Sequence, residues 1–153
     1  MYPKHHIILG LIFSIVLYFF PGFTLLQVSI VFLSSFLIDV DHYLYYVFRK
    51  KDLSLRRSYS WFIKMAEKYK KQTLKQKQNS KKSPAYLHGL EIILILYLLG
   101  YFISNLFYFV AIGFLFHLIL DYIEEYSFGL PFYKYSVIHQ FIRSKKLKHI
   151  EDA

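Results

Sequence analysis

The segment Leu106–Asp121 reads LFYFVAIGFLFHLILD, with one histidine and one aspartate at the carboxyl end of an otherwise apolar run. Three other apolar runs in the chain have the same pattern, in which the ionisable residues lie at or near one end. The four runs are Ile7–Phe20, Phe23–Ile38, Tyr86–Ile103 and Leu106–Leu120. Each is at or just below the roughly 20 residues that a helix needs to cross about 30 Å of hydrocarbon. We therefore predict membrane helices at about residues 6–20, 23–42, 85–103 and 105–124.

The composition agrees with an integral membrane protein of one domain, residues 1–153. Hydrophobic residues make up 56% of the chain and aromatic residues 21%, and both are concentrated in the four runs. Pro21-Gly22 leads directly into a second apolar run, which is not the pattern of a cleaved signal peptide. There is no cysteine, so neither a disulfide framework nor a thiolate metal site is possible. The predicted fold class is an all-α four-helix membrane bundle.

Positive charge is concentrated in one loop. Residues 49–82 carry 13 of the 19 lysines and arginines, while the short connections Pro21-Gly22 and Ser104-Asn105 carry no charge. Because loops rich in lysine and arginine stay on the cytoplasmic side, we predict that both termini and a basic loop at 49–84 face the cytoplasm. The two uncharged turns then face outward, across the plasma or inner membrane.

The basic loop also contains a predicted amphipathic helix. Trp61, Met65 and Tyr69 recur every four residues, and lysines occupy another stripe of the same helix at 64, 68, 71 and 75. Such a helix is typical of membrane surfaces, so we expect loop 49–82 to contact anionic lipid headgroups. Binding of a nucleic acid or a protein partner by the same charges is the alternative. The tail at 127–153 is predicted to be interfacial, with a short apolar helix that includes Val137, Phe141 and Ile142.

The ionisable groups of the four runs should meet in one layer on the cytoplasmic side. Four helices that alternate in direction bring His6, the Asp39–His42 cluster, His88 and His117 to the same level. Within one helix, residues three or four apart share a face, as do His117 and Asp121, His88 and Glu91, and Asp39 and His42 if the second helix continues that far. Placing a charged group inside a membrane costs free energy, so such groups are usually kept for a function.

Histidine with carboxylate suits zinc, manganese or iron, and helical bundles build metal sites from inward-facing pairs of this kind. The predicted ligands are His6, Asp39, His42, His88, His117 and Asp121, a set large enough for one to three divalent ions, with zinc preferred. Asp41 and Glu91 are the predicted catalytic proton acceptors, because Glu91 lies a turn deeper than His88 and must be paired or protonated there. Glu124, Glu125, His139 and His149 are predicted to be solvated.

These residues resemble the YdjM-type family of membrane-bound metal-dependent hydrolases. His6-Ile-Ile-Leu-Gly10 is similar to the family's H-x-x-x-G, and Ile38-Asp39-Val40-Asp41-His42 to its P-D-[IV]-D-H, with Ile38 in place of the proline. Gly113-Phe-Leu-Phe-His117-Leu-Ile-Leu-Asp121 resembles its G-x-x-x-H-x-x-x-D, and Gly129-Leu-Pro131 its later turn. Leu87-His88-Gly89-Leu90-Glu91 stands where the family has H-R-G-x-T-H-S, so His88 matches only the second histidine. The resemblance implies a metal site.

The sequence therefore predicts a membrane-embedded, metal-dependent hydrolase of phosphoesters, such as phospholipid headgroups, with its site at the cytoplasmic face. Two other functions stay open. An ion or proton carrier would use the layer of acids and histidines as a relay, although no ionisable pair lies near the outer helix ends. A membrane scaffold would use the basic loop to recruit a cytoplasmic partner.

Overall fold

The computed structural model describes residues 3–81, 86–127, 136–144 and 147–149. Within them the chain is helical apart from one short strand pairing, which confirms the all-α class. The helices are α1 Pro3–Tyr18, α2 Leu25–Leu37, α3 Val40–Lys50, α4 Leu55–Lys70, α5 Leu74–Asn79, α6 Leu90–Phe102, α7 Leu106–Ser127 and α8 Val137–Ser144. Strands β1 Ser80–Lys81 and β2 Lys148–His149 pair in parallel. The predicted turn at Gly129–Pro131 lies outside the described residues.

Helix α2 packs against both α1 and α7, which also contact each other, and α6 packs against α7. Small residues allow these close approaches. A Cβ atom at Gly10 would overlap Ser35 Oγ, and one at Gly113 would overlap Ser34 Oγ and lie 2.5 Å from Val31 O. Because Gly10 and Gly113 lie one turn from His6 and His117, the tight packing brings both histidines up to α2.

The predicted second helix, 23–42, is two helices in the structure. Thr24 caps the start of α2, and α2 ends at Leu37. Across the break, Asp39 N–H donates to Phe36 O at 3.3 Å and His42 N–H to Asp39 O at 3.1 Å, so both hydrogen bonds span three residues instead of the four of a regular α-helix. Asp39 therefore lies in the turn, and α3 continues beyond the predicted end to Lys50.

The predicted third helix, 85–103, begins later than expected. Gly89 is its extended N-cap residue and the first helical residue is Leu90. His88 lies before the helix and Glu91 within its first turn, so the two side chains do not share the helical face that the three-residue spacing predicted. Residue 85, where the predicted helix begins, lies outside the described residues.

The amphipathic helix predicted in the basic loop is α4, and it packs against α3. The Trp61 ring lies 5.7 Å from the Tyr46 ring, and Tyr69 is 7% exposed. The apolar face of α4 thus rests largely on the protein, whereas the predicted lysine stripe is exposed.

The turn between α3 and α4 is held by Asp52. Its carboxylate accepts hydrogen bonds from Arg57 Nε and a terminal guanidinium nitrogen at 2.6 Å each, and from Tyr46 Oη at 2.5 Å. These hydrogen bonds, Arg57 first, hold the pKa of Asp52 well below its usual range. The same pairing raises the pKa of Arg57.

Two helical units are long and apolar enough to cross a membrane, Leu25–Lys50 and Leu106–Ser127, and two more are apolar but shorter, Pro3–Tyr18 and Leu90–Phe102. In these two long units, only 33% and 28% of the apolar 18-residue stretch is buried inside the protein. A core helix of a soluble protein is mostly buried. The described part of the chain therefore exposes an extensive apolar surface, which favours association with a membrane.

Candidate metal centre

Six predicted ligands and Asp41 lie together at one end of the bundle. They come from α1, the turn between α2 and α3, the start of α3, the segment before α6, and α7. Three groups have ligand atoms that all lie within 4.8 Å of one another: His6 with His117 and Asp121, Asp39 with His88 and His117, and Asp41 with His42 and His88. The predicted layer of histidines and acids is thus present, and these groups could hold a metal ion.

The centre of this cluster brings two histidine nitrogens and two carboxylate oxygens together. His88 Nε2 lies 3.1 Å from His117 Nε2, and Asp39 Oδ1 lies 3.3 Å from the first and 3.6 Å from the second. Asp121 Oδ2 lies 3.8 Å from His117 Nε2 and 4.0 Å from His88 Nε2. Ligand atoms placed tetrahedrally around zinc at about 2.1 Å are about 3.4 Å apart. The ligand atoms of Asp39, His88 and His117 therefore need only small shifts to bind one ion, and Asp121 Oδ2 lies within 4.0 Å of both histidine nitrogens.

The helix break orients His117. Its Nδ1 lies 2.8 Å from the carbonyl oxygen of Ser35, and because a carbonyl only accepts, Nδ1 carries the proton. In an uninterrupted helix Ser35 O would accept from Asp39 N–H, but that group donates to Phe36 O. The carbonyl freed near the end of α2 thus fixes the tautomer that leaves His117 Nε2 available to a metal, an arrangement common among histidine ligands.

Asp41 orients His88 in the same way. Its Oδ2 accepts from Leu87 N–H at 2.9 Å and lies 3.2 Å from His88 Nδ1. A carboxylate that holds the outer nitrogen of a histidine leaves Nε2 for the metal and raises its basicity. The position of Asp41 is therefore that of an orienting group. Its predicted role as a proton acceptor stays a prediction.

His6 is buried without a hydrogen bond. It is 1% exposed, and neither ring nitrogen has a hydrogen-bond partner in the described part of the chain. Its Nε2 lies 3.3 Å from Asp121 Oδ1, and its ring stacks on that of His117 with centroids 3.8 Å apart. Buried polar groups nearly always have a hydrogen-bond partner. A ring that is buried without one is therefore a candidate metal ligand. Asp121 has one oxygen toward His6 and the other toward His117.

Among the described residues of the cluster, Asp39 and His42 are the most exposed. The side chains of His6, His88 and His117 are at most 1% exposed, whereas those of Asp39 and His42 are 19% and 24% exposed. His42 Nε2 lies 3.7 Å from Asp39 Oδ1. The Phe62 ring of α4 lies 5.5 Å from the His42 ring. Within the described residues, the exposed margin of the cluster thus lies at Asp39 and His42, beside α4.

The electrostatics of the cluster favour a cation. Three carboxylates, Asp39, Asp41 and Asp121, surround rings that are neutral as metal ligands. His88 Nε2 lies 3.3 Å from Asp39 Oδ1, and its Nδ1 lies 3.2 Å from Asp41 Oδ2. A positive charge at the centre of the cluster is thus stabilised, whether a proton or a metal ion supplies it.

Glu91 lies away from the cluster. Its carboxylate accepts hydrogen bonds from Ser136 Oγ and from Val137 N–H at 3.0 Å, so it meets the start of α8. Gly89 ends the extended segment, and Glu91 in the first turn of α6 contacts the start of α8. The predicted catalytic role of Glu91 stays a prediction.

One buried acid was missed by the sequence analysis. Glu125 was predicted to be solvated, but it is 7% exposed. It follows His117 and Asp121 on α7 at four-residue intervals, so all three share one helical face. That spacing was the available signal.

No protein-family model, curated protein or solved structure matches this chain. The resemblance to YdjM-type hydrolases therefore stays a prediction.

Proposed function

We propose that this protein is an integral membrane hydrolase that uses a divalent metal to cleave phosphoesters, with phospholipid headgroups as the substrate class. The observation that carries the proposal is the group of Asp39, His88 and His117, whose ligand atoms lie 3.1 to 3.6 Å apart, with Asp121 Oδ2 within 4.0 Å of both histidine nitrogens. The hydrogen bonds that Ser35 O and Asp41 accept from the two histidines support it, because they leave both Nε2 atoms available to a metal. Hydrolysis of a phosphoester, which uses a divalent cation held in a fixed position, fits this group of ligands.

Membrane insertion through four helices is the second part of the proposal. α1 has 16 residues and α6 has 13, which correspond to about 24 Å and 20 Å of helix, less than the roughly 30 Å of a hydrocarbon core. Both helices begin near the metal cluster, whereas α3 and the end of α7 continue beyond it. The short helices thus fit a membrane in which the cluster lies below the cytoplasmic boundary.

This depth supports a lipid substrate. His117 precedes Glu124, the first acid after the cluster on α7, by seven residues, or about 10 Å of helix. A headgroup that approaches from the side of the bilayer enters at this level more readily than a solute from water. The exposed margin at Asp39 and His42 is the point of access.

One or two ions fit the donor set better than three. An imidazole nitrogen has one lone pair, and His117 Nδ1 already donates to Ser35 O, so His117 serves one ion. The same holds for His88, whose Nδ1 is held by Asp41. A second ion would use His6 and Asp121 Oδ1. Zinc is the preferred ion for this ligand set, and manganese or iron are the alternatives.

When bound, the divalent ion supplies Lewis acidity, which activates water and polarises a phosphoester. The protein contributes the rest. Asp41 and the Ser35 carbonyl hold the two central histidines in their metal-binding tautomers, α4 restricts the open side, and the apolar surroundings limit access of bulk water.

The exposed lysines of α4 are a further element of the proposal. Lys64, Lys68 and Lys71 are exposed and are attracted to anionic headgroups by about 1 kcal/mol each close to the surface. Because the apolar face of α4 rests on α3, we attribute this contact with lipid to charge and not to insertion of Trp61.

Metal analysis of the detergent-purified protein tests the proposal. We expect a stoichiometric divalent ion that is lost in His117→Ala and His6→Ala and kept in His5→Ala, a matched control next to His6 but outside the cluster. The metal-loaded protein should hydrolyse phospholipid in mixed micelles. A purified protein without divalent metal, or His117→Ala with unchanged metal content, would contradict the site. Full metal content without phosphoester hydrolysis would favour the carrier or scaffold.

A further inference from the structure

Helix α8 is amphipathic, and its apolar side chains are directed outward instead of toward the protein. Ile138, Phe141 and Ile142 are 63%, 56% and 57% exposed, and they share one face at spacings of three and four residues. The opposite face, with His139 and Gln140, is half-buried. A helix at the surface of a soluble protein has the reverse arrangement.

The start of α8 is attached to the first turn of α6. Glu91 accepts from Ser136 Oγ and Val137 N–H, and Ser136 Oγ in turn accepts from His139 N–H at 3.1 Å. A carboxylate at a helix N-terminus is favoured by the helix dipole. Gly89 makes the approach possible, since a Cβ atom there would lie 2.5 Å from Val137 Cγ2 and 2.9 Å from Val137 N.

From these contacts we infer that α8 is a membrane-surface helix that binds anionic lipid, with Glu91 as the residue that positions it. The inference rests on the membrane placement proposed above. Glu91 lies where α6 would enter the bilayer. One face of α6 is apolar and exposed at Leu90, Leu94 and Leu98. The outward face of α8 is therefore at the boundary between headgroups and acyl chains, the level at which amphipathic surface helices lie.

Charge indicates the kind of lipid. The sequence directly after the apolar face of α8 contains Arg143, Lys145, Lys146 and Lys148. An apolar face flanked by cations is the composition of helices that lie in the interface of anionic membranes. A second copy of the chain is the competing occupant of this face, and the four cations disfavour it because two such segments would repel each other.

Single-tryptophan fluorescence in vesicles tests the inference. In a Trp61→Phe background, Ile142→Trp reports on the apolar face of α8, Gln140→Trp on the opposite face, and Leu94→Trp on the wall of α6. We expect lipids brominated near the headgroup to quench the reporter at 142 at least twofold more in vesicles with phosphatidylglycerol than in neutral ones, and high salt to reverse the difference. The reporter at 140 should show little quenching.

The outcomes separate this inference from the placement on which it rests. If the reporter at 94 is quenched by lipid but the one at 142 is open to aqueous iodide, α8 does not bind the membrane while the placement stands. If neither is quenched by lipid, the placement fails. If the reporter at 142 is shielded from both the brominated lipid and iodide, a second copy of the chain covers this face. If the reporter is quenched equally in neutral and anionic vesicles, α8 has no preference for anionic lipid. Either result overturns the inference.

Variants at Glu91 test its positioning role. Glu91→Ala should reduce lipid quenching of the reporter at 142 at least twofold, because both acceptor oxygens are lost, and Glu91→Gln should restore part of it through its remaining carbonyl oxygen. Unchanged quenching in Glu91→Ala would show that Glu91 does not position α8.

Discussion

Gly113 of α7 lies so close to Ser34 of α2 that a Cβ atom on the glycine would overlap the serine hydroxyl. The contact is one helical turn from His117, and Ser35, next to Ser34, supplies the carbonyl that orients that histidine. Helix packing and ligand orientation therefore depend on the same pair of neighbouring serines. Gly10, which approaches Ser35 from α1, has the corresponding position relative to His6.

Gly113→Ala should consequently disturb both stability and metal binding. Overpacking of this kind costs about 1–3 kcal/mol, and separation of α7 from α2 would move His117 away from Ser35 O. We expect a lower thermal midpoint in detergent and a reduced metal content. Leu115→Ala is the control, because Leu115 is 42% exposed, and it should retain its metal. A Gly113→Ala protein with normal metal content would contradict this account of the glycine.

Asp41→Asn should weaken metal binding more than Glu91→Gln. Loss of a carboxylate that orients a histidine ligand lowers metal affinity about 10- to 100-fold, and Asp41 contacts His88 Nδ1 at 3.2 Å. Glu91 contacts α8 instead of the cluster, so its neutralisation should leave metal affinity unchanged. Competition with a chelator measures both. Equal losses in the two variants would show that Glu91 also supports the site.

Docking of α4 should weaken in acid through Asp52. Because its folded-state pKa is depressed, Asp52 contributes stability that is present above its unfolded pKa of about 3.9 and is lost as the pH falls toward the lower folded value. We expect Trp61 emission to shift to the red below about pH 4 as its contact with Tyr46 loosens. Asp52→Asn should show a red-shifted spectrum at neutral pH and a smaller acid transition. An identical acid transition in that variant would assign the effect to another group.

The proposed topology predicts the location of three loops. Reporter fusions at Pro21 and Ser104 should read external, and a fusion at Gln78 should read internal, because the basic residues are retained on the cytoplasmic side. An external signal at Gln78 would invert the orientation.

Much of the cluster was predictable because helical spacing is local. His117 and Asp121 lie on one uninterrupted helix, so their four-residue separation was enough to place them together. The same reasoning failed at Glu91, where an extended residue, Gly89, separates His88 from the helix. It also assigned Glu125 to solvent, since burial depends on neighbours that no local pattern reveals.

The sequence by itself determined the apolar helices, the charge asymmetry and the residue types of the candidate metal site, because these follow from composition and from the periodicity of one helix. Only the tertiary structure decided which donor atoms converge and what orients them. The use of Ser35 O by His117 and the contact of Glu91 with α8 join segments far apart in the chain. Such contacts depend on how helices pack together, and no single helix encodes them.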